Sequence, residues 1–300
     1  MDYKSLYENK NFGQISFDEN LKSYTSFGIG GPADVLVKPT TIEQLQNLLI
    51  FNHENKIESF VIGRGSNLLV SDKGIRGCVI VLSDNFDEVE IEGDYLTALA
   101  GTSLTDASLK AIEAGLTGME EISGIPGTVG GAVAMNAGAY GGEIKDIAVE
   151  IIALDYEGKL YKFNNDEMNF SYRYSRIFDD NLIAVSCKFK LEKGDPEKIE
   201  KAYLDFKNRR ESKQPLDKKS AGSTFKRPVG SYASKLIDEC GLRGFGEGDC
   251  QVSQKHCGFI INKGEATCEE MLAFINHVSE IVNDKTGFVL EREVKLVGEL

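Results

Sequence analysis

The chain has 300 residues, 41% hydrophobic and 27% charged, with a formal net charge of −13. That length allows two or three domains with a real core, and the acidic balance excludes a general nucleic-acid binder. With no basic-then-apolar leader and no run of 18 apolar residues, a soluble, cytoplasmic protein is expected, with no membrane partner.

In chain order, Thr40-x-x-Glu43 reads as a capping box opening a helix with Leu45, Leu48 and Leu49 on one face. "SFVIG" reads as a short buried strand running into "RGSNLLVSDKG". "GCVIVLS" and "DEVEIEGDYLTALAG" read as strands, the latter turning at Gly93-Asp94. A helix follows from Ser103 to a terminal Gly115. After the stretch 123–142, "AVEIIALDYEGKLYKF" is a hairpin and "NLIAVSCKFKL" a strand. "DPEKIEKAYLDFKNRRESK" has an Asp cap, Pro at the first helical position and late basic residues, the marks of a helix. "GSYASKLIDECG" is a second capped helix, "GFIIN" a strand, and Thr267-x-x-Glu270 opens a helix to about residue 284. "GFVLEREVKLVG" closes the chain as a strand whose alternation puts Glu291, Glu293 and Lys295 on one face. The joints are expected near residue 70 and near Lys213 to Lys219.

The six cysteines form no CxxC pair, so reduced thiols are the plain reading. Cys250, His256 and Cys257 lie close together but fit no zinc spacing, and no metal is expected. Between Lys207 and Arg227 eight basic residues face only Glu211 and Asp217. The first half of this island reads as a solvated helix face, and the second half suits a compact anionic ligand.

"SGIPGTVGGAVAMNAGAYGG", residues 123–142, has seven glycines and no charged side chain. Either a ligand approaches this backbone closely, or the chain turns as only glycine permits. "GRGSNLLVSD", from Gly63, is a second bare loop after a strand. Neither fits the dinucleotide fingerprint or a P-loop, and each alone reads as a tight turn. Together and in this order they resemble the two pyrophosphate-binding loops of the vanillyl-alcohol-oxidase (PCMH-type) flavin domains. There FAD lies between two small α/β subdomains, and main-chain N–H groups neutralise phosphate charge. "SFGIGGPAD", "GRGSNLLVSD", "GIPGTVGGAVAMNAGAYG", "FSYRYS", "AGSTFKRP" and "LEREVKLVG" also run in the order of the UDP-N-acetylenolpyruvoylglucosamine reductases, the MurB family. The resemblance spans Ser26 to Gly298.

The resemblance implies an α+β chain: a two-subdomain PCMH-type FAD-binding fold followed by a C-terminal α/β substrate-binding domain. The divisions implied are 1–70 with 287–300, 71–205, and 206–286, because the last strand must return to the flavin half to bring Glu293 back. It implies an enzyme of peptidoglycan precursor synthesis that works as a monomer. NADPH, the co-substrate, reduces FAD, and hydride then passes to the enolpyruvyl ether of UDP-N-acetylglucosamine enolpyruvate, giving UDP-N-acetylmuramate. Such chemistry needs positive charge at the substrate carboxylate, a proton donor, and groups that fix the donor. Matching the family motifs, Arg173 polarises the carboxylate, Ser223 donates the proton, and Glu293 stands near the same carbon. Without that match they read as a surface Arg, a turn residue and an exposed charge. The implied cofactor set is Gly63, Arg64, Gly65, Ser66, Asn67, Gly127, Thr128, Gly130, Gly131, Asn136 and Gly138. The implied substrate set is Tyr172, Lys226, Arg227 and Arg243, for which ion pairing within the protein is the plain alternative. Only about fifty residues separate Arg173 from Ser223, which matches the short, second type without the inserted tyrosine loop. A flavin-dependent oxidase of the same fold and a non-catalytic nucleotide-sugar module are the competing classes.

Overall fold

The computed structural model describes residues 2–83 and 85–299. The chain folds into two compact units, Met1–Phe17, Val35–Arg64 and Gly77–Arg210 in the first, Asp18–Asp34, Gly65–Arg76 and Glu211–Leu300 in the second.

The first unit holds two hydrophobic cores. One lies under the helix Ile42–Glu54, whose Leu45, Leu48 and Leu49 are fully buried with Val35, Val37, Cys78 and Ile80. Its sheet has the spatial order Gln14–Asn20, Pro32–Lys38, Ile75–Val81, Ser59–Ile62, and the last two strands pair in parallel. The cap of this helix lies one residue later than the sequence suggests. Thr41 Oγ1 accepts the Gln44 N–H at 3.1 Å, and the Gln44 side chain returns to the Thr40 N–H at 2.9 Å. Thr41 thus caps the helix, while the glutamine reaches back to the residue before the cap, so the expected Thr40/Glu43 box does not form.

The second core belongs to a five-stranded antiparallel sheet. Its order is Leu160–Asn164, Ala148–Asp155, Leu182–Lys190, Tyr95–Leu99, Val89–Glu92. The turn at Gly93-Asp94 is a two-residue hairpin with Glu92 opposite Tyr95 and Gly93 at φ +63°. Leu104, Ala107 and Ala111 of the helix Leu104–Glu113 and Val129, Ala132 and Val133 of the helix Val129–Ala134 bury themselves in this core. The sheet end at Ala100 thus becomes the floor on which the glycine-rich run is built.

In the second unit the helix Cys268–Thr286 carries Met271, Phe274, Ile275, Val278 and Val282 into a core shared with Val252 and Ile260. The Thr267/Glu270 capping box forms as expected. Asp72 adds a second cap, its carboxylate accepting the N–H groups of Cys268 at 2.9 Å and Glu269 at 3.1 Å. That bond helps to explain why residues 65–76 belong to this unit. The strands Gly246–Glu247, Cys250–Val252 and Ile260–Asn262 form a small antiparallel sheet.

The last segment departs from expectation twice. Only Lys295–Val297 is a regular strand, and it pairs in parallel with Leu68–Val70. Residues 291–293 instead bond irregularly to 224–226: Arg292 bridges Phe225, Lys226 N–H donates to the Glu291 carbonyl, and Glu293 N–H to the Thr224 carbonyl. Alternation therefore fails here, because Glu291 points to solvent while both Glu293 and Val294 are buried. Of the expected grouping of 1–70 with 287–300, only residues 18–34 and 65–70 share a unit with 287–300, and that unit also holds 211–286. Leu290 and Val294 sit in the core of the second unit.

All six cysteines are free and buried. Cys257 Sγ donates to Asp238 at 3.4 Å, and His256 Nδ1 accepts from Gly258 N–H at 3.1 Å. Among the described residues no group of three His, Cys, Asp or Glu side chains could hold a metal ion. No helix among them is long and apolar enough to cross a membrane.

Candidate functional site

The glycine-rich run is sewn to the sheet end by main-chain bonds. Leu104 N–H donates to Gly127 O at 3.1 Å, Val129 N–H to Thr102 O at 2.9 Å, and Gly130 N–H to Ala100 O at 2.9 Å. Thr128 caps the short helix, its Oγ1 accepting from Gly131 N–H at 3.4 Å. The bare positions have different reasons. A side chain at Gly63 would run into Thr128 Oγ1, so the two loops expected to share a ligand meet within the first unit. A Cβ at Gly130 would lie 2.8 Å from Ala100 Cβ, so this glycine serves close packing against the sheet rather than an open ligand face. A Cβ at Gly131 would meet only Thr128 Oγ1, at 3.7 Å, and Gly131 is exposed. Gly138 lies opposite Glu143 in a tight hairpin, and a Cβ there would sit 2.6 Å from Glu143 Cγ.

Asn136 does something the sequence does not announce. It is 1% exposed with φ +40°. Its amide donates to Glu143 Oε2 at 2.9 Å and to Ser171 O at 3.0 Å, and its oxygen accepts Lys145 N–H at 3.0 Å. Expected in the cofactor set, its side chain is instead spent inside the protein. Ser171 is the base of the hairpin Ser171↔Tyr174, whose two central residues are Tyr172 and Arg173. Asn136 therefore ties the glycine-rich run to the turn that presents Arg173. Arg173 takes φ +57°, a left-handed conformation that costs an L-residue energy and that proteins keep where geometry matters. Its guanidinium lies 5.1 Å from the Tyr172 ring centroid. Glu143 feels both elements. Burial pushes its carboxyl up, but bonds from Lys145 and Asn136 and the charges of Lys145 and Arg173 outweigh this and hold it below the usual value.

In the second unit the irregular ladder brings three expected residues to one place. Ser223 bridges Phe259 and is exposed, while its neighbour Thr224 is fully buried and accepts Glu293 N–H at 2.9 Å. Glu293, 8% exposed, lends its carbonyl to Asn67 Nδ2 at 3.4 Å, and Asn67 O accepts Lys295 N–H at 2.9 Å. The loop 65–67 is thereby fixed to the segment that bears Glu293. Gly65, at φ +56°, accepts Ser26 N–H at 3.3 Å, which anchors it on the other side. Arg64 is exposed and Ser66 half-buried.

The basic residues divide. Lys226 is paired with Glu291. Arg243 grips Asp238 with two bonds, 2.9 and 2.6 Å, and donates a third to Gln254 O at 2.7 Å. The bonds to Asp238 raise its pKa. Arg227 is exposed and stacks 4.7 Å from the Tyr232 ring centroid. In the first half of the island, Lys207 and Arg209 are exposed as a solvated face requires, but Arg210 is buried. The helical period holds the signal: Ile199, Tyr203, Phe206 and Arg210 share one face of the helix Pro196–Lys213.

The run 123–142 presents bare main chain, no acidic side chain and an open face at Gly131, and beside it Arg210 Nε is a buried donor with no hydrogen-bond partner among the described residues. That donor set suits an anionic, oxygen-rich group such as the diphosphate of FAD.

Residues 33–164 match the model of an FAD binding domain, and residues 214–297 match that of the C-terminal domain of UDP-N-acetylenolpyruvoylglucosamine reductase. The reductase of that name from Clostridioides difficile strain 630 is 48% identical over 285 residues, covering 95% of this chain and 94% of that protein. Its counterpart from Caldanaerobacter subterraneus is 47% identical over 287 residues, covering 96% and 95%. The crystal structure of UDP-N-acetylenolpyruvylglucosamine reductase (MurB) from Thermus caldophilus superposes with a TM-score of 0.81 at 35% identity, covering 94% of this chain and 98% of that one. With an α+β fold, an FAD-binding region and near-full-length likeness on both sides, the chain belongs to the UDP-N-acetylenolpyruvoylglucosamine reductase family.

Proposed function

We infer that this protein is an FAD-dependent, NADPH-using oxidoreductase, a UDP-N-acetylmuramate dehydrogenase that reduces the enolpyruvyl ether of UDP-N-acetylglucosamine enolpyruvate to the lactyl ether of UDP-N-acetylmuramate. It works in the cytoplasm as a monomer, in peptidoglycan precursor synthesis. The observation that carries this reading is likeness over nearly the whole length of both proteins, at 48% identity, to a reductase of that name. Bound FAD would supply the hydride chemistry that no side chain has.

The chain's own groups do the rest. The bare loops would hold the cofactor through Gly63, Arg64, Gly65, Ser66, Asn67, Gly127, Thr128 and Gly131, whose lack of acidic side chains suits its diphosphate. Gly130 and Gly138 contribute by letting their neighbours approach, and Asn136 by fixing the turn at Ser171. Arg173 holds the substrate carboxylate and stabilises the negative charge that spreads onto it as hydride arrives, since a guanidinium keeps its proton and binds a carboxylate with two donors. Ser223 Oγ delivers the proton to the adjacent carbon, with Glu293 beside it in the chain fold to orient and replenish that proton. Tyr172, Lys226, Arg227 and Arg243 serve the nucleotide-sugar end, Lys226 and Arg243 by exchanging carboxylate partners for phosphate.

The visible spectrum of the purified protein, followed by anaerobic mixing, tests this reading. A yellow protein is expected, bleached by NADPH and recoloured by the enolpyruvyl substrate. A colourless protein would point to the binding module, and reduced protein recoloured by oxygen alone to the oxidase.

A further inference from the structure

Asn262 ends the strand Ile260–Asn262 and is 2% exposed. A buried amide is costly unless its polar atoms are used. Here they are used on three different segments. The main-chain N–H donates to Lys219 O at 2.8 Å. The side-chain oxygen accepts the N–H groups of Gly264 at 3.0 Å and Ala266 at 3.2 Å, which leaves the side-chain nitrogen to donate to Phe27 O at 3.0 Å. Phe27 lies in the turn 25–29, which is closed from within. Gly28 N–H donates to Thr25 O at 3.1 Å, and Thr25 Oγ1 accepts from Ile29 N–H at 3.2 Å and donates to Ile29 O at 2.8 Å. Lys219 packs over the turn, since a Cβ at Gly28 would stand 2.9 Å from Lys219 Cδ. The turn also bears on Gly65. Ser26 N–H donates to Gly65 O at 3.3 Å, and a Cβ at Gly65 would lie 2.1 Å from Tyr24 O, so only a glycine lets the two stretches of main chain meet. The loop 65–67 therefore rests on the turn, and the Asn262 amide fixes the turn to the strand.

We propose that Asn262 is a positioning residue for the cofactor loop: through Phe27 and the turn 25–29, its side-chain amide sets where the main chain of residues 65–67 meets bound FAD. The proposal rests on the flavin reading given above. A bare loop has few side chains to hold its shape, so its geometry is set by what its main chain is bonded to. A loop held in its binding geometry before the ligand arrives binds more tightly, because the ordering cost is met during folding and not during binding. Asparagine suits this position because one planar group offers an acceptor and a donor, whereas an ionised aspartate of the same shape offers acceptors only. The same link reaches the residues assigned to proton transfer, because Asn67 Nδ2 donates to Glu293 O at 3.4 Å.

Titration of FAD into apoprotein variants tests this. Asn262→Asp keeps the acceptor for Gly264 and Ala266 and removes the donor to Phe27 O. At about pH 8, where the carboxyl is ionised, FAD should bind Asn262→Asp at least about tenfold more weakly than wild type. Thr267→Ala is the control for stability alone: it removes the hydroxyl that caps the helix Cys268–Thr286 and leaves the turn 25–29 untouched. It should lower the melting temperature of the apoprotein yet bind FAD as wild type does. Thr25→Val opens the turn from inside and should weaken FAD binding too. Because both changes act through one turn, the double variant should lose no more than the weaker-binding single variant, rather than the product of the two losses. Wild-type FAD affinity in Asn262→Asp overturns the proposal. So does an equal loss in Thr267→Ala, since the effect would then follow stability, and so does a double variant whose losses multiply. Should Asn262→Asp fail to fold, the side-chain amide resonance of Asn262 in the wild-type protein must shift when FAD is added, by the reciprocity of coupled sites, and an unmoved resonance overturns the proposal. A wild-type protein that binds no flavin would instead refute the function itself, which keeps the two failures apart.

Discussion

Replacing Asn136 with alanine tests whether one buried amide joins the cofactor loop to the catalytic turn. The side chain makes three bonds, to Glu143, to Ser171 O and to Lys145 N–H, at 2.9, 3.0 and 3.0 Å. Losing the donor to Ser171 strands a carbonyl and costs about 1–2 kcal/mol. Losing the acceptor for Lys145, an N–H in the first turn of the short helix Ile144–Ile147, costs about 1 kcal/mol. The Glu143 bond is partly solvated and Lys145 stays beside that carboxylate, so it adds only about 0.5 kcal/mol. At φ +40° alanine pays a further cost of about 1 kcal/mol that glycine avoids. Asn136→Ala should therefore lose roughly 4 kcal/mol and Asn136→Gly roughly 3 kcal/mol in urea unfolding at fixed FAD concentration. The kinetic arm follows from Ser171. With the hairpin untied, Arg173 loses its fixed position, and the Michaelis constant for the UDP-sugar should rise well above any change for NADPH. A loss below about 1 kcal/mol in Asn136→Ala, or unfolding with both Michaelis constants unchanged, would refute the reasoning.

Ser223→Ala removes a proton but no charge, so flavin content and reduction by NADPH should survive. Stopped-flow should show reoxidation by the enolpyruvyl substrate slowed about 100-fold or more, and loss of the first half-reaction instead would sink the assignment. Gly131→Val points a side chain into the open face and should yield folded, flavin-poor protein. Gly130→Val should lower the melting temperature first, because its Cβ would press on Ala100. A fully yellow Gly131→Val protein would count against the loop as the diphosphate site. Arg227→Gln should raise the Michaelis constant for the UDP-sugar more than it lowers turnover, since diphosphate contacts change little between ground and transition states. An unchanged constant would leave Arg227 a solvated side chain. His256 is held below its ordinary value of 6.5, first by burial and then by the charges of Arg243 and Lys213. The unfolded chain therefore takes up that proton more readily than the folded one, and stability falls as pH drops through 6.5. Denaturation at about pH 7.5 and about pH 5.5 should show a shallower slope in His256→Gln, and equal slopes would show that another group governs the acid limb.

Local signals in the sequence determined most of the elements. Thr267 and Glu270 lie three residues apart and cap a helix wherever they are placed, and Gly93-Asp94 turns a hairpin because glycine accepts φ +63° without cost. Motif order also identified the family, since six short strings in sequence do not depend on how they pack. What depends on neighbours from afar was not legible. Alternation assigned Glu291 and Glu293 to one face, but bonds to residues 224–226, some seventy residues earlier, turn Glu293 inward and leave Glu291 in water. Gly130 reads as a ligand contact until Ala100 is found against it. Asn136 reads as a cofactor residue until Ser171, Glu143 and Lys145 claim its amide. Arg210 sits in a run of solvated charges, and its helical period hinted at burial. Only tertiary packing decided that its guanidinium would be sealed beside the glycine-rich run without a carboxylate. Short-range propensity fixes what a segment becomes. The partners of a buried polar group are set by the whole fold, because each donor and acceptor must be satisfied by whatever the packing brings near.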